Sequence, residues 1–131
     1  MLALLDLFFF VFHVSLIIFN VFGWMLPGLR KWNLLTLVLT AFSWLVLGIF
    51  YGFGYCFLTD WHWDVREQLG YDMRSNSYIH FLVTALTPIT VSENTVDIVT
   101  AVVFFLAFAA SIGLNLRDWK RSRQHRQTDR E

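Results

Sequence analysis

The sequence predicts an all-α integral membrane bundle with three transmembrane helices and one or two short interfacial helices on the outer face. Three observations predict this fold. Apolar runs at residues 2–26, 34–58 and 96–116 each reach the roughly 20 residues that a spanning helix needs. The runs lack the strict alternation that is typical of barrel strands. Hydrophobic residue types make up 56% of the 131 residues, which is more than about half, the usual upper range for a soluble domain.

The first apolar run is expected to be a permanent spanning helix rather than a secretory signal. Residues 1–5 contain no Lys or Arg, the run is too long for the apolar region of a signal peptide, and no small-residue cleavage pattern follows it. Residues 1–116 are therefore predicted to form a single membrane domain. The basic tail at 117–131 is expected to be poorly ordered beyond its first turns.

Positive charge predicts the orientation of the three spans. Arg30 and Lys31 lie in the first loop, and six further Lys or Arg residues lie in the tail. The outer-face segment at 59–95 contains only Arg66 and Arg74, and its acidic residues outnumber them. Because positive residues of short loops favour the cytoplasmic side, the N-terminus is predicted outside and the tail in the cytoplasm.

A fourth apolar segment leaves one alternative open. Residues 78–91 are apolar but short, and Pro88 interrupts them. A run of this length is more often interfacial, re-entrant or packed against other helices than spanning. A crossing here would give four spans and would put Arg30 and Lys31 outside if the tail stayed inside. We therefore prefer three spans.

Polar residues recur along one face of the first predicted helix. Asp6, His13 and Asn20 are seven residues apart, and residues with this spacing share a face. Ionisable groups in a spanning helix are costly and usually face the bundle interior. One interpretation is a proton-handling or ligand site. The preferred interpretation is structural hydrogen bonding to hydroxyl groups of the second helix, namely Thr36, Thr40 or Ser43.

The start of the outer segment carries a thiol, an imidazole and two carboxylates. On a helix, Asp60 and Asp64 share a face while His62 points elsewhere. A zinc site needs three or four converging ligands and a haem needs axial ligands, so either would require His13 or His80 as well. The preferred interpretation is an aromatic interfacial anchor with an N-cap Asp60 and a solvated His62. No cofactor is predicted.

Small residues predict close packing between helices. Gly48 and Gly52 form a small-xxx-small pattern that Cys56 extends, and Ala109 and Gly113 form another. Cys56, the only cysteine, is expected to be a small buried residue, and a lone cysteine excludes an internal disulfide.

Several short patterns resemble a family of small multi-pass bacterial membrane proteins that is catalogued only as a domain of unknown function. The patterns are Phe12-His13, Phe19-Asn20, Gly23-Trp24, Arg30-Lys31-Trp32-Asn33-Leu34, Ser43-Trp44, Gly48 to Cys56, and Thr59-Asp60-Trp61-His62-Trp63. The last pattern is similar to sequences from the Bacteroidetes, which implies the inner membrane of a Gram-negative cell. The resemblance implies no activity, but it favours His13, Cys56, Thr59 and His62 as site residues.

No sequence motif indicates a reaction. Phosphate-binding loops, nucleophile elbows, paired-Cys metal motifs and nucleic-acid modules are missing from the sequence. We therefore expect a non-enzymatic accessory or scaffold subunit that contacts the lipid bilayer and other membrane subunits or a second copy of itself. The alternative is an outer-half site that binds a metal or haem or relays protons, built from Asp6, His13, Cys56, Asp60, His62 and His80.

Overall fold

The computed structural model describes residues 1–52, 54–72 and 77–130, which form helices and no strand. The α-helices are α1 (Leu2–Phe22), α2 (Arg30–Phe42), α3 (Gly48–Tyr51), α4 (Phe57–Gln68), α5 (Tyr78–Leu86) and α6 (Glu93–Thr128). Three helical stretches are long and apolar enough to cross a membrane: Leu2–Met25, Pro27–Tyr51 and Glu93–Thr128. The prediction of an all-α bundle with three such helices is confirmed.

Two short 3₁₀ turns, Gly23–Met25 and Pro27–Leu29, reverse the chain between α1 and α2. Pro27 stands at the start of the second turn, where its missing N–H and fixed φ are tolerated. The connection is so short that α1 and α2 are neighbours in the bundle, as is usual for helices joined by a tight turn.

Arg30 connects this reversal to α6. Its guanidinium donates to the Trp24 carbonyl at 3.1 Å and to the Asp118 carboxylate at 2.8 Å. Asn115 of α6 donates to the Arg30 carbonyl at 3.1 Å. The first loop and the beginning of the basic tail therefore lie at the same end of the bundle.

A π-helical turn, Ser43–Leu47, separates α2 from α3 within the second apolar helix. Ser43 is buried and donates to the Tyr55 carbonyl at 3.0 Å. The Trp44 ring contacts the Phe104 ring of α6 at a centroid distance of 4.7 Å. The turn therefore contacts both the segment after α3 and the third apolar helix.

The second apolar helix ends at Tyr51, before the end of the 34–58 run expected from the sequence. Gly52 and Gly54 have φ values of 107° and 85°, which are favourable for glycine and end the helix. Cys56 then caps α4. The apolar residues after Cys56 extend the hydropathy signal, but they belong to α4 and not to the span.

The 78–91 segment does not form a fourth spanning helix. Helix α5 has nine residues and is therefore about 13 Å long, against a hydrocarbon core of about 30 Å. The Ser77 hydroxyl accepts from the His80 N–H at its start, and Pro88 follows shortly after its end. The segment at 59–95 therefore holds α4 and α5 between the second and third long helices.

Helix α6 contradicts the expectation of a poorly ordered tail. It has 36 residues and continues through Thr128, for a length of about 54 Å. The tail contains no Gly or Pro and is rich in Arg and Gln, which are good helix formers. The Arg123 guanidinium also lies over the Trp119 ring, 4.5 Å from its centroid. Local propensity therefore extends the helix beyond its apolar part.

The interior of the bundle is rich in polar residues, while large apolar side chains face outward. The buried polar residues are His13, Asn20, Asn33, Ser43, Thr59, His62 and Ser111. The buried apolar residues are Leu37, Val65, Tyr78, Val96, Phe104 and Ala107. Ile49, by contrast, is 80% exposed. Polar residues facing inward and apolar residues facing outward are typical of helices surrounded by lipid.

Asn33 joins α2 to α1 through hydrogen bonds to the backbone. Its side chain is fully buried, and Nδ2 donates to the carbonyls of Phe19 at 2.7 Å and Asn20 at 3.3 Å. A Cβ atom at Gly23 would lie 2.8 Å from that Nδ2 and 2.9 Å from the Phe19 ring. Only glycine therefore leaves room for the Asn33 contact.

Gly23→Ala is expected to destabilise the protein by about 1–3 kcal/mol, because the added methyl group displaces Asn33 and Phe19. Thermal unfolding in detergent, followed by circular dichroism, measures the loss. Gly28→Ala is the matched control, because a Cβ at Gly28 meets no heavy atom within 4 Å. Equal unfolding temperatures for the two variants would contradict the steric argument.

Candidate functional site

A charged cluster joins α1 to α4. His62 Nε2 lies 2.7 Å from Asp6 Oδ1, and Arg66 Nη1 donates to the same oxygen at 3.1 Å. His62 and Arg66 are four residues apart, so they lie on one face of α4. His62 is 0% exposed, and the Asp6 side chain is 22% exposed. A carboxylate near one end of α1 therefore binds an imidazole and a guanidinium from the same face of α4.

Tyr78 of α5 connects this pair to His13. The Tyr78 and His13 rings stack with their centroids 3.9 Å apart and an interplanar angle of 11°. The Tyr78 ring also lies 5.6 Å from the His62 ring. We call Asp6, His13, His62, Arg66 and Tyr78 the Asp6 cluster. It brings together residues from α1, α4 and α5.

The guanidinium of Arg66 is held from several sides. It lies 4.4 Å from the centroid of the Tyr71 ring and 4.8 Å from that of the Phe81 ring. Aromatic faces attract a guanidinium, and more strongly where water is excluded. Arg66 is therefore positioned by its neighbours as well as by Asp6.

Three polar atoms of the Asp6 cluster are buried with no hydrogen-bond partner in the described part of the chain: His62 Nδ1, Arg66 Nε and Tyr78 Oη. Because His62 Nε2 faces a carboxylate, which only accepts, we assign the ring proton to Nε2. Nδ1 then carries a lone pair. The cluster presents an unused acceptor on His62 and an unused hydroxyl on Tyr78.

Burial shifts the pKa values of both groups toward their neutral forms. Burial lowers the pKa of His62 below its usual 6.5 and outweighs the opposing effect of the Asp6 hydrogen bond. Burial likewise raises the pKa of Tyr78 above its usual 10.0. At neutral pH, His62 is therefore a neutral base and Tyr78 keeps its hydroxyl proton.

A second polar layer lies two helical turns beyond His13 on α1. Asn20 Nδ2 donates to the Thr40 hydroxyl at 3.1 Å, and Thr40 in turn donates to the Thr36 carbonyl at 2.8 Å. The hydrogen bond from Asn20 to a hydroxyl group of the second helix is the type of contact that the structural interpretation predicts for the polar face of α1. The Oδ1 atoms of Asn20 and Asn33 are nevertheless buried without a partner within the described ranges.

The other candidate residues lie outside the Asp6 cluster as we define it. Cys56 is half-buried at the N-cap of α4, and Thr59 is buried on that helix. Asp60 is exposed and accepts from the Tyr55 hydroxyl at 3.0 Å. The ring Nε2 of His80 lies 3.0 Å from the Val91 carbonyl.

Metal binding receives no support from the residues that the structure describes. No group of three or more His, Cys, Asp or Glu side chains among them is arranged to hold a metal ion. His13 and His62 both contact the Tyr78 ring, whereas His80 bonds to Val91.

Most of the small residues that were predicted to pack helices together face unoccupied space. A Cβ at Gly52 or Gly113 would meet no heavy atom within 4 Å, and Ala109 is exposed. Gly48 is half-exposed. These positions do not bring described helices into close contact, so their packing role stays a prediction for contacts with another chain.

Sequence reasoning missed Arg66 and Tyr78. Arg66 carried a usable signal, because it follows His62 by one helical turn and an acidic residue in an apolar helix usually pairs with another charged residue. Tyr78 carried no such signal. Its position against His13 depends on how α5 folds back over α1 and α4.

The chain matches, over residues 3–116, the family described as Protein of Unknown function (DUF2784). The chain belongs to the DUF2784 family. The match covers every residue of the Asp6 cluster and of the second polar layer, which we call the Asn20 layer and which consists of Asn20, Asn33, Thr36 and Thr40. No curated protein and no solved structure matches this DUF2784 chain.

The lowered pKa of His62 predicts that acid destabilises the fold. Above pH 6.5 His62 is neutral in both the folded and the unfolded chain. Below it, the unfolded chain takes up a proton that the folded chain resists, so the free energy of unfolding falls until the pH passes the folded-state pKa. Unfolding temperatures between about pH 7.5 and about pH 5 measure this slope.

His62→Gln is expected to flatten part of that slope, because it removes the group that titrates. His125→Gln, which changes an exposed histidine of the tail, is the control and should keep the wild-type slope. A wild-type slope in His62→Gln would assign the acid sensitivity to other groups.

Proposed function

We propose that this DUF2784 protein is an integral protein of the bacterial inner membrane, with its N-terminus outside and its tail in the cytoplasm. Its three long apolar helices and polar interior support a membrane location. The Arg30–Asp118 ion pair holds the basic first loop beside the basic tail, so one end of the bundle carries most of the positive charge. That asymmetry supports the proposed orientation.

Within this bundle, the function is proton handling at the Asp6 cluster in the outer half of the membrane. The observation that carries the proposal is His62, which is fully buried and bonded through Nε2 to Asp6, and whose Nδ1 has no partner among the described residues. Burying an unpaired polar atom is costly and is uncommon in a group with a purely structural role. A histidine with a free ring nitrogen beside a carboxylate is suited to accepting a proton.

The neighbours of His62 have complementary roles in this chemistry. Asp6 accepts the Nε2–H and would stabilise the imidazolium that forms when Nδ1 takes a proton. Arg66 donates to the same Asp6 oxygen at 3.1 Å and so holds the carboxyl group in place beside His62. Tyr78 keeps its proton at neutral pH and can donate a hydrogen bond within the cluster. His62 can then release the proton again, and no group in the cluster is oxidised or reduced.

Nitrogen-15 NMR of histidine-labelled protein in nanodiscs tests this role. We expect His62 to show a protonated Nε2 and an unprotonated Nδ1 at neutral pH, with Nδ1 taking up a proton reversibly on acidification. Asp6→Asn should abolish the tautomer preference, because the amide can donate to or accept from the ring. Asp60→Asn, which changes an exposed carboxylate, is the matched control. A His62 that is protonated on Nδ1 at neutral pH would overturn the proposal.

A second candidate function is that of an accessory subunit, and the end of α6 favours it. Residues 119–130 are exposed along their length although they are helical through Thr128. A short helix without tertiary contacts is marginal in water, so this one would gain stability by covering a partner. Six Lys or Arg residues against three acids in the tail favour an acidic partner surface.

Crosslinking in native membranes tests the accessory function. We expect a discrete crosslinked partner that persists in His13→Ala and is lost when Arg121 and Arg126 are both changed to Glu. Lys31→Glu, an exposed change in the first loop, is the control for charge alone. Retention of the partner in the double variant would exclude the tail as the binding surface.

A further inference from the structure

We infer that the polar face of α1 conducts protons from one side of the bilayer to the other. The inference rests on the proposed proton-handling site and extends it from one cluster to a pathway. The pathway starts at Asp6 and His62, continues past His13 to the Asn20 layer, and ends near Asp118.

The polar groups are distributed along the axis of α1 rather than confined to one end of it. Within α1, the buried residues are His13 and Asn20, and both are polar. Asp6, His13 and Asn20 are two turns apart, or about 10 Å per interval, so together they cover about 21 Å of a core of about 30 Å. The apolar residues of α1 are at the surface or only partly buried. The interior face of this helix is therefore polar over most of the core.

Unused hydrogen-bonding atoms occur in two layers of this face. One layer has His62 Nδ1 and Tyr78 Oη, and the other has the Oδ1 atoms of Asn20 and Asn33. The orientation of both amides is determined by their partners, because each Nδ2 donates to an acceptor: Asn20 to the Thr40 hydroxyl, Asn33 to backbone carbonyls. Amides that served only to hold helices together would use both ends. Each of these atoms instead keeps an unused hydrogen-bonding capacity that a water molecule would satisfy.

The polar face continues to the basic end of the bundle. Ser111 of α6 is fully buried, and Asn115 donates to its carbonyl at 2.7 Å as well as to the Arg30 carbonyl. Asp118, one turn further, pairs with Arg30 and is partly exposed to solvent. A proton that reaches the Asn20 layer therefore has polar groups ahead of it as far as the aqueous phase.

Transport along this path is a sequence of proton transfers. A proton from the outer phase enters beside Asp6, whose side chain is 22% exposed, and binds Nδ1 of His62, which has no partner in the described part of the chain. It then passes by way of water and His13 to water at the Asn20 layer. It leaves at the Asp118 end. Every group returns to its starting protonation state, so one proton moves down its gradient and nothing else is consumed.

Reconstitution into phosphatidylcholine vesicles that contain a pH-sensitive dye tests the inference. A pH step is applied with potassium and valinomycin present, so that charge does not limit the flux. The wild type should dissipate the gradient faster than protein-free vesicles. Asn20→Leu and His13→Phe should slow this flux by about tenfold or more, which corresponds to a barrier increase of about 1.4 kcal/mol.

Ser15→Leu is the matched control, because Ser15 also lies on α1 but its side chain is exposed rather than part of the buried polar face. It should retain the wild-type flux. Asn20→Leu and His13→Phe lie at different positions along the pathway. The protein recovered in the vesicles shows whether each variant has inserted, and if one has not, the flux of the other variant tests the pathway. Asn20→Leu should also leave the His62 NMR signals unchanged.

Two results would overturn the pathway. One is a wild-type flux equal to that of empty vesicles. The other is a wild-type flux that both Asn20→Leu and His13→Phe retain. Either result, with the His62 tautomer as expected, would leave the proton-handling site intact, whereas an altered tautomer in the wild type would remove the site and the pathway together.

Discussion

The Asp6 side chain is the group on which the packing of α1, α4 and α5 depends. A carboxylate near the end of a spanning helix is costly unless it is paired, and Asp6 is paired with both His62 and Arg66. These contacts hold α4 against α1. Arg66 contacts Tyr71 and Phe81 in turn, which carries the same interaction from α4 to α5. One half-buried carboxyl group therefore organises three helices.

The remaining helix contacts depend on hydrogen bonds and on a small residue, Gly23, that leaves room for them. In the proposed membrane location, lipid is as apolar as a leucine side chain, so apolar burial would do little to favour one helix arrangement over another. Asn33 supplies directional bonds between α1 and α2, and Gly23 supplies the space for them. Arg30 and Asn115 do the same between the first loop and α6. Specificity in this bundle comes from a few polar side chains at defined depths.

Hydropathy was sufficient to predict the three long helices, because length and apolarity determine which segments can cross a bilayer. The end of the second helix was not predictable in this way. Gly52 ends it through its backbone conformation, while the apolar residues of α4 continue the hydropathy signal. The tail was wrongly expected to be poorly ordered, since its helix depends on local propensity and on Trp119 rather than on burial.

The site could be predicted only in part. A spacing of seven residues is a local property, so Asp6, His13 and Asn20 were recognisable from α1 alone. The stacking of Tyr78 on His13 joins residues 65 positions apart, and no local pattern encodes it. Residues that look similar in sequence, such as His62 and His80, have different surroundings for the same reason.

The π turn at Ser43–Leu47 determines where the second long helix, Pro27–Tyr51, can change in length. A π turn accommodates one residue more than regular α-helical geometry, so everything after it is rotated by about 100° relative to an uninterrupted helix. Deleting a single residue there would restore a continuous α-helix and leave the Asn33 and Thr40 side of the helix in place. The turn is therefore a point where the chain can gain or lose one residue without disturbing its inner polar layer.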